Sequence, residues 1–418
     1  MGQFLMAAAV LVAFFLSVPA ASHTGLATWA SIAAASMSFV AMALNQFLAT
    51  RPRYLEGLFG GLDRIYHTHR QLGIAALVLF LIHYIVTPNF KGLVLTSGLN
   101  EMAGTAGEIG FYGLVVLAGI SLVKRLPKTR IEVPYNLWRQ SHRFIGFFFI
   151  LIAVHLNFIK RPFDGTALLA VYLNIFAAIG VISFIVTQIR PFIARKRYQV
   201  SDIIALPSAT LVTARAVGRP IAARPGHFAF LKSDRSGLGE PHPFTIARHD
   251  PATSSISFAI KPLGDFTRRL RDTLQVGDIL HLEGGYGRFE VHKGSQSQVW
   301  LAGGIGITPF LAQVETLRAT PDKKVHLFHS VRSEVEAVQR DYLEGLSASL
   351  PNFTFTLHAS KTNGRLGAAQ LIEKSQVPPK GADFWFCGPE AMRLAIVKDL
   401  KLSGNAPGKV KFEKFEFR

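Results

Sequence analysis

The sequence predicts a bundle of six membrane-spanning α-helices, then a small antiparallel β-barrel, then an α/β domain built on a parallel, Rossmann-like sheet. Three observations lead there. The first 190 residues are dominated by long apolar runs. Residues 195–295 carry short alternating apolar segments separated by turn residues. Residues 296–418 alternate strand-like with helix-like segments. The expected domains are therefore 1–194, 195–295 and 296–418. Composition agrees, because 49% of the 418 residues are hydrophobic and only 17% charged, against about 25% charged in soluble domains.

A bilayer-spanning helix needs about 20 mostly apolar residues. Stretches 3–20, 27–48, 68–88, 107–123, 139–159 and 166–190 qualify. The first ends in Pro19-Ala20-Ala21-Ser22, which is similar to a signal-peptide cleavage site. No Lys or Arg precedes it, so it reads as a membrane helix. Arg51, Arg53, Arg64 and Arg70 lie between the second and third stretches. Lys124, Arg125, Lys128, Arg130 and Arg139 lie between the fourth and fifth, and Arg190, Arg195, Lys196 and Arg197 follow the sixth. The opposite connections hold only Lys91, or Lys160 and Arg161. The positive-inside rule then puts the N-terminus and the C-terminal half in the cytoplasm, with the bundle in the inner membrane if the cell is bacterial. Much of the net charge of +18 has this origin, which argues against a nucleic-acid partner. The one cysteine, Cys387, excludes an internal disulfide framework and an all-cysteine metal site.

Ionisable residues inside membrane spans are costly and mark function. The third stretch opens His69-Arg70-Gln71-Leu72-Gly73 and reaches His83; the fifth opens His142-Arg143-Phe144-Ile145-Gly146 and reaches His155. Spacings of 14 and 13 residues correspond to about 20 Å along a helix axis, which suits two stacked cofactors. Both helices run in the same direction, so His69 faces His142 and His83 faces His155. Each pair offers two neutral imidazoles to a haem iron. Gly73 and Gly146 are expected to leave room for a flat macrocycle, and Arg70 and Arg143 to meet its propionates. Thirteen residues leave His155 about 140° from the face of His142 in a regular helix. A kink, a π-bulge or a compensating ring orientation is required. A lone membrane histidine reads as a hydrogen-bonded core residue; two matched pairs read as ligands. His67 has no counterpart in the fifth stretch and reads as interfacial.

In the C-terminal half, Leu211-Val212-Thr213-Ala214 and Ile256-Ser257-Phe258-Ala259-Ile260 are typical of the barrel strands. Val299-Trp300-Leu301-Ala302, Val325-His326-Leu327-Phe328 and Phe384-Trp385-Phe386 are strand candidates of the parallel sheet. Gly303-Gly304-Ile305-Gly306-Ile307-Thr308-Pro309 follows the first of these and opens a helix. Glycines there let backbone amides approach a phosphate. A tight turn alone would also explain them.

His242-Pro243-Phe244-Thr245 resembles the flavin motif of the ferredoxin-reductase superfamily, and Ile260-Lys261-Pro262-Leu263-Gly264-Asp265-Phe266-Thr267 its second FAD segment. Phe386-Cys387-Gly388-Pro389-Glu390 is similar to the motif beside the nicotinamide. Together with the four histidines, the whole chain resembles the NADPH oxidase and ferric reductase transmembrane family. The resemblance implies an FAD-binding barrel, an NAD(P)-binding α/β domain and two b-type haems. It implies that His242, Pro243, Phe244 and Thr245 hold the flavin, with Thr245 near its reactive nitrogen. Lys261, Gly264 and Thr267 would meet the FAD diphosphate, Lys261 standing where the family often has Arg. Gly303, Gly304, Gly306, Thr308 and Pro309 would cradle the NAD(P) diphosphate. Cys387, Gly388 and Pro389 would border the hydride-transfer site, although a free cysteine also reads as a small buried hydrophobe. Phe417 would stack on the flavin, with Phe415 as competitor and a terminal core residue as the plain alternative. Ser330, Arg332 and Arg365 suit an adenosine 2′-phosphate and favour NADPH over NADH.

The resemblance thus implies electron transfer from NADPH through FAD and two haems to an acceptor outside. Oxygen giving superoxide is preferred, because the reductase half resembles the oxidase branch. A ferric chelate and a membrane electron-transfer partner stay open. A transporter with a regulatory nucleotide domain is disfavoured by the paired histidines and the flavin motif. No activation module or EF-hand loop is recognisable, so constitutive activity without an obligate protein partner is expected.

Overall fold

The structure, a computed structural model, describes residues 1–86, 98–122, 135–159 and 166–413. The chain forms two compact units, Met1–Ile193 and Ala194–Arg418.

The first unit is helical. Its main elements are α1 (Gly2–Ser17), α2 (Leu26–Ala49), α3 (Leu62–Val86), α4 (Gly98–Leu122), α5 (Tyr135–His142), α6 (Ile145–Phe158) and α7 (Ala167–Ile193). Six spans are long and apolar enough to cross a membrane, with α5 and α6 contributing one span, Leu137–Phe158. The unit is an integral membrane domain. Its outer faces carry exposed Val78, Ile82, Val116, Val171, Ile182 and Ile185, a surface suited to lipid. The central helix is α2, which packs on α1, α3 and α7. Its small residues Ala33, Ala34, Ser36, Ala41 and Ala43 are buried, and small side chains let neighbouring backbones approach closely. Phe39 stacks on Phe149 of α6 at 5.0 Å.

Two boundaries differ from the sequence expectation. The third span starts at Leu62, so His69 lies two turns inside it rather than at its start. The fourth starts at Gly98 and includes Asn100 and Glu101. Hydropathy missed this polar first turn, because a helix end at the interface needs no apolar run.

The second unit opens with a closed barrel in the order β1-β2-β5-β4-β3-β6. Its strands are β1 (Lys196–Ala205), β2 (Thr210–Ala216), β3 (Phe228–Ser233), β4 (His242–Asp250), β5 (Ser255–Ile260) and β6 (Ile279–Tyr286). Alternate residues Val212 and Ala214, with Tyr198, Ile246, Phe258 and Leu282, fill the interior, as period-2 side-chain alternation requires. Helix α8 (Asp265–Thr273) buries Phe266 and Leu270 against the same core.

The rest is a five-stranded parallel sheet in the order β11-β10-β7-β8-β9. Its strands are β7 (Ser297–Gly303), β8 (Lys324–Val331), β9 (Phe353–Ala359), β10 (Asp383–Cys387) and β11 (Lys409–Glu413). One core lies on each face, around Trp300, Phe310 and Trp385 on one and Phe328, Phe384 and Phe386 on the other. Strands β7, β8 and β9 progress in one direction, and β10 returns to the other side of β7. That reversal is the switch point at which open α/β sheets bind ligands, beyond the carboxyl ends of the strands. The fold class is the one the sequence predicts.

Candidate functional site: paired membrane histidines and a dinucleotide crevice

In the membrane unit, α3 supplies His69 and His83, α5 ends on His142, and α6 carries His155. The rings of His69 and His142 stand 6.1 Å apart, centre to centre. Two metal–imidazole bonds of about 2 Å, each with about 1 Å from nitrogen to ring centre, span about 6 Å. The pair is thus spaced as two ligands of one metal. His83 and His155 form the second pair, near enough to interact electrostatically. Among the described residues, no three His, Cys, Asp or Glu side chains converge on a metal-sized site. Two facing imidazoles are a donor set that would suit a haem, whose macrocycle would supply the remaining ligands.

Every Nδ1 has a partner inside the bundle. His69 Nδ1 lies 3.1 Å from the Asn45 carbonyl, and His155 Nδ1 lies 2.9 Å from the Ala103 carbonyl. His83 Nδ1 contacts Ser31 Oγ at 2.8 Å and the Ser31 carbonyl at 3.2 Å. His142 Nδ1 contacts Ser121 Oγ at 2.8 Å. Carbonyl oxygens only accept, so at His69, His83 and His155 Nδ1 carries the proton and the lone pair sits on Nε2. Gly107 makes room for His155, because a Cβ there would overlap the imidazole.

The angular mismatch between His142 and His155 is resolved by a break. Helix α5 stops at His142, Arg143 and Phe144 form a turn, and α6 begins at Ile145. Phe144 N–H bonds Ser141 O at 3.0 Å, a tighter turn than α-helix. The glycines expected to accommodate a macrocycle have other neighbours. A Cβ on Gly146 would overlap the Phe184 ring, and one on Gly73 would meet Asn45 Nδ2 at 3.0 Å. Arg143 donates to Gln188 Oε1 at 2.7 Å, Arg70 is exposed, and His67 is exposed.

In the second unit, β4 presents the flavin-like motif. The His242 ring lies 4.0 Å from that of Phe266, and Phe244 lies 6.1 Å from Phe266. Pro243 pairs with Phe230 and Thr245 with Phe228. Thr245 is 6% exposed, and its Oγ1 has no hydrogen-bond partner among the described residues. A buried unmet hydroxyl costs about 1–3 kcal/mol and calls for a ligand atom. Lys261 follows the end of β5 and is half-buried. Gly264 is the N-cap of α8, and Thr267 Oγ1 accepts the amides of Leu263 and Gly264 at 2.8 and 2.9 Å. Thr267 thus shapes the turn that Lys261 flanks.

The glycine-rich turn stands at the switch point. Gly303 ends β7, residues 304–307 form a single 3-10 turn, and α9 (Thr308–Val314) follows. Gly304 has φ +55°. A Cβ on Gly306 would overlap the Cys387 carbonyl. Gly388 has φ +157°, and a Cβ on it would lie 2.9 Å from Gly303 Cα. Two backbones therefore touch where only glycine fits, and Pro389 follows as the N-cap of α10 (Glu390–Leu402). Ala247, two residues past Thr245, shares a core with Ile307 and Phe310. The flavin-like strand and the glycine turn are adjacent.

Cys387 is fully buried within that core, and burial pushes its thiol well above the ordinary range. It stays a neutral thiol, and its carbonyl is the atom that meets the glycine turn. Ser330 pairs with Gly303 on one side and His358 on the other, the exposed Arg332 follows β8, and the exposed Arg365 follows Gly364 after β9. All three lie at the carboxyl edge of the sheet. Phe417 lies outside the described residues, as do Phe415, Lys91, Lys160 and Arg161.

Sequence reasoning missed His329. Its Nε2 donates to the Gly304 carbonyl at 2.9 Å, pinning the turn from below. Burial lowers its pKa to about 4, so it stays neutral at physiological pH.

A membrane bundle with paired histidines, a closed barrel and a parallel sheet with a glycine turn at its switch point define a transmembrane oxidoreductase carrying a flavin and nicotinamide module. Comparison with known proteins agrees. Residues 34–153 match the ferric reductase like transmembrane component, and residues 300–398 match the oxidoreductase NAD-binding domain. This fused architecture fits the NADPH oxidase and ferric reductase-like family. The toluate 1,2-dioxygenase electron transfer component of Pseudomonas putida is 27% identical over 202 residues, 47% of this chain and 59% of that protein. The flavohemoprotein of Pseudomonas putida is 28% identical over 207 residues, 47% of this chain and 53% of its own length. The chain thus spans less than two thirds of these relatives. NADH–cytochrome b5 reductase 1 of Arabidopsis thaliana is 28% identical over 232 residues, 51% of this chain and 79% of that protein. Among solved structures, a ferredoxin NADP+ reductase from Neisseria gonorrhoeae with bound FAD and NADP aligns with a TM-score of 0.45 at 19% identity, over 53% of this chain and 99% of that one.

Proposed function

We propose that the chain takes electrons from NADPH and delivers them singly across the bilayer to oxygen on the outer side, giving superoxide. The observation that carries this reading is the 6.1 Å separation of the His69 and His142 rings, set by neighbours that leave Nε2 as ligand. His69 with His142 would hold one b-type haem, and His83 with His155 a second. FAD, when bound, accepts a hydride's two electrons and releases them one at a time to haem iron.

The surroundings of the described residues support the following roles. Thr245 Oγ1, buried beside β3, would hydrogen-bond the flavin ring near its reactive nitrogen, with His242, Pro243 and Phe244 lining the same strand. Lys261 would neutralise the FAD diphosphate, on a turn held by Gly264 and Thr267. Gly303, Gly304, Gly306, Thr308 and Pro309 would present backbone to the NADPH diphosphate, with Gly388 and Pro389 closing the other side. Ser330, Arg332 and Arg365 would receive the 2′-phosphate. Cys387 would border the nicotinamide as a neutral thiol, and Phe417, outside the described residues, would stack on the flavin. The loop charges support an orientation with the barrel and sheet in the cytoplasm, hence domains 1–194, 195–295 and 296–418 with the last two inside.

A ferric chelate is the second acceptor reading, favoured by the match to ferric-reductase-like membrane components over residues 34–153. The deciding experiment is an optical spectrum of the detergent-purified chain with FAD, before and after NADPH, in air and without oxygen. Reduced b-haem bands that vanish rapidly in air, with dismutase-sensitive dye reduction, support the oxidase. Slow reoxidation with fast reduction of ferric chelates supports the reductase. Absence of haem bands sinks both readings.

A further inference from the structure

We infer that Ser31 and Ser121 are positioning residues, each orienting one ligand histidine of a different haem pair; this rests on the haem reading above. A serine in a membrane helix ordinarily bonds its own preceding turn, and Ser121 does so, donating to the Leu117 carbonyl at 2.7 Å. It does more. Trp138 Nε1 donates to Ser121 Oγ at 3.1 Å, and His142 Nδ1 lies 2.8 Å from the same oxygen.

Donor counting settles the direction of that last bond. A hydroxyl has one proton and two lone pairs. The Leu117 carbonyl only accepts and takes the proton. The indole N–H only donates and takes one lone pair. The remaining lone pair accepts from His142 Nδ1–H. The hydroxyl is saturated, and the imidazole is locked as the tautomer with its lone pair on Nε2. The Trp138 ring, centred 5.2 Å from that of His142, adds a packed wall.

Ser31 repeats the device at the other pair. It is fully buried. Its carbonyl, 3.2 Å from His83 Nδ1, requires a proton on that nitrogen, and its Oγ lies 2.8 Å away. The opposite ligands, His69 and His155, are held by the backbone carbonyls of Asn45 and Ala103 instead. Each pair thus joins one imidazole whose Nδ1 meets only a backbone carbonyl with one whose Nδ1 meets a serine hydroxyl. Outer-shell partners of metal-bound histidines set tautomer, ring orientation and basicity. A carbonyl draws the Nδ1 proton more strongly than a hydroxyl does. Loss of either serine hydroxyl should therefore alter one centre and spare the other.

The test uses the full chain in detergent, reading haem per polypeptide and a redox titration of the b-type absorption. The unmodified protein is expected to carry two haems that titrate as two components. Ser121→Ala should shift or empty one component, and Ser31→Ala the other. Ser121→Thr, which keeps the hydroxyl, should restore the first. Trp138→Phe should move the same component as Ser121→Ala, by less. A Ser121→Ala protein with two haems and unchanged titration overturns the assignment. So does an equal disturbance of both components by each variant, which is what a merely structural role produces. Absence of haem in the unmodified chain overturns the haem reading itself, and is told apart by that control.

Discussion

Replacing Thr245 with valine separates the cost of a buried hydroxyl from its use. Valine has nearly the same shape and suits a β-strand, so the pairing with Phe228 survives. Thr245 is 6% exposed, and Oγ1 is unpartnered among the described residues. Burying an unmet hydroxyl costs about 1–3 kcal/mol, so the flavin-free variant should be more stable by about 1 kcal/mol. If Oγ1 bonds the flavin, the variant loses about 0.5–1.5 kcal/mol of binding, a weakening of about twofold to tenfold. Fluorescence titration of FAD into flavin-free protein reads the second effect, and thermal unfolding without FAD reads the first. Unchanged FAD affinity together with lowered stability would refute the argument, because the hydroxyl would then serve the protein alone.

Alanine at His69, His83, His142 or His155 should each remove haem, whereas alanine at the exposed His67 should not; pyridine-haemochrome assay of the purified variants decides. Gly306→Ala pushes a methyl into the Cys387 carbonyl, a strain of about 1–3 kcal/mol, so KM for NADPH should rise while haem content holds. Arg332→Asp should shift preference from NADPH towards NADH, read as the ratio of kcat/KM for the two; an unchanged ratio removes Arg332 from the 2′-phosphate site. Burial lowers the pKa of His326 and His329 to about 4, against about 6.5 when unfolded. The unfolded state therefore binds the extra protons, so the stability from these groups is complete above pH 6.5 and declines as pH falls towards 4, by up to about 3 kcal/mol for His329. Tryptophan-monitored unfolding at pH 7.5 and 5 checks this, and His329→Gln should flatten the dependence.

The membrane architecture was legible because the length of an apolar run is a direct physical requirement of a bilayer. The pairing of His69 with His142 was legible for a similar reason, since two repeated patterns on codirectional helices leave few arrangements. What the sequence left open was local. The misfit of the 13-residue spacing pointed to some irregularity, and the structure supplies a break at Arg143 and Phe144. Gly146 was assigned to a cofactor, yet its empty side is filled by Phe184, a partner 38 residues away that no pattern announces. Ser31 and Ser121 gave no signal, because a serine in a membrane helix is satisfied by its own backbone. His329 sat unmarked in an apolar strand, and only the parallel register of β7 and β8 carries it under Gly304.

The break after His142 also has a mechanical meaning. In one continuous helix the azimuths of His142 and His155 would be geared together, and any twist needed at one end would be delivered to the other. The turn at Arg143 and Phe144 uncouples them. Amino-acid changes along α6 can therefore retune the His155 end of the span, while the His142 end keeps the setting given by Ser121 and Trp138.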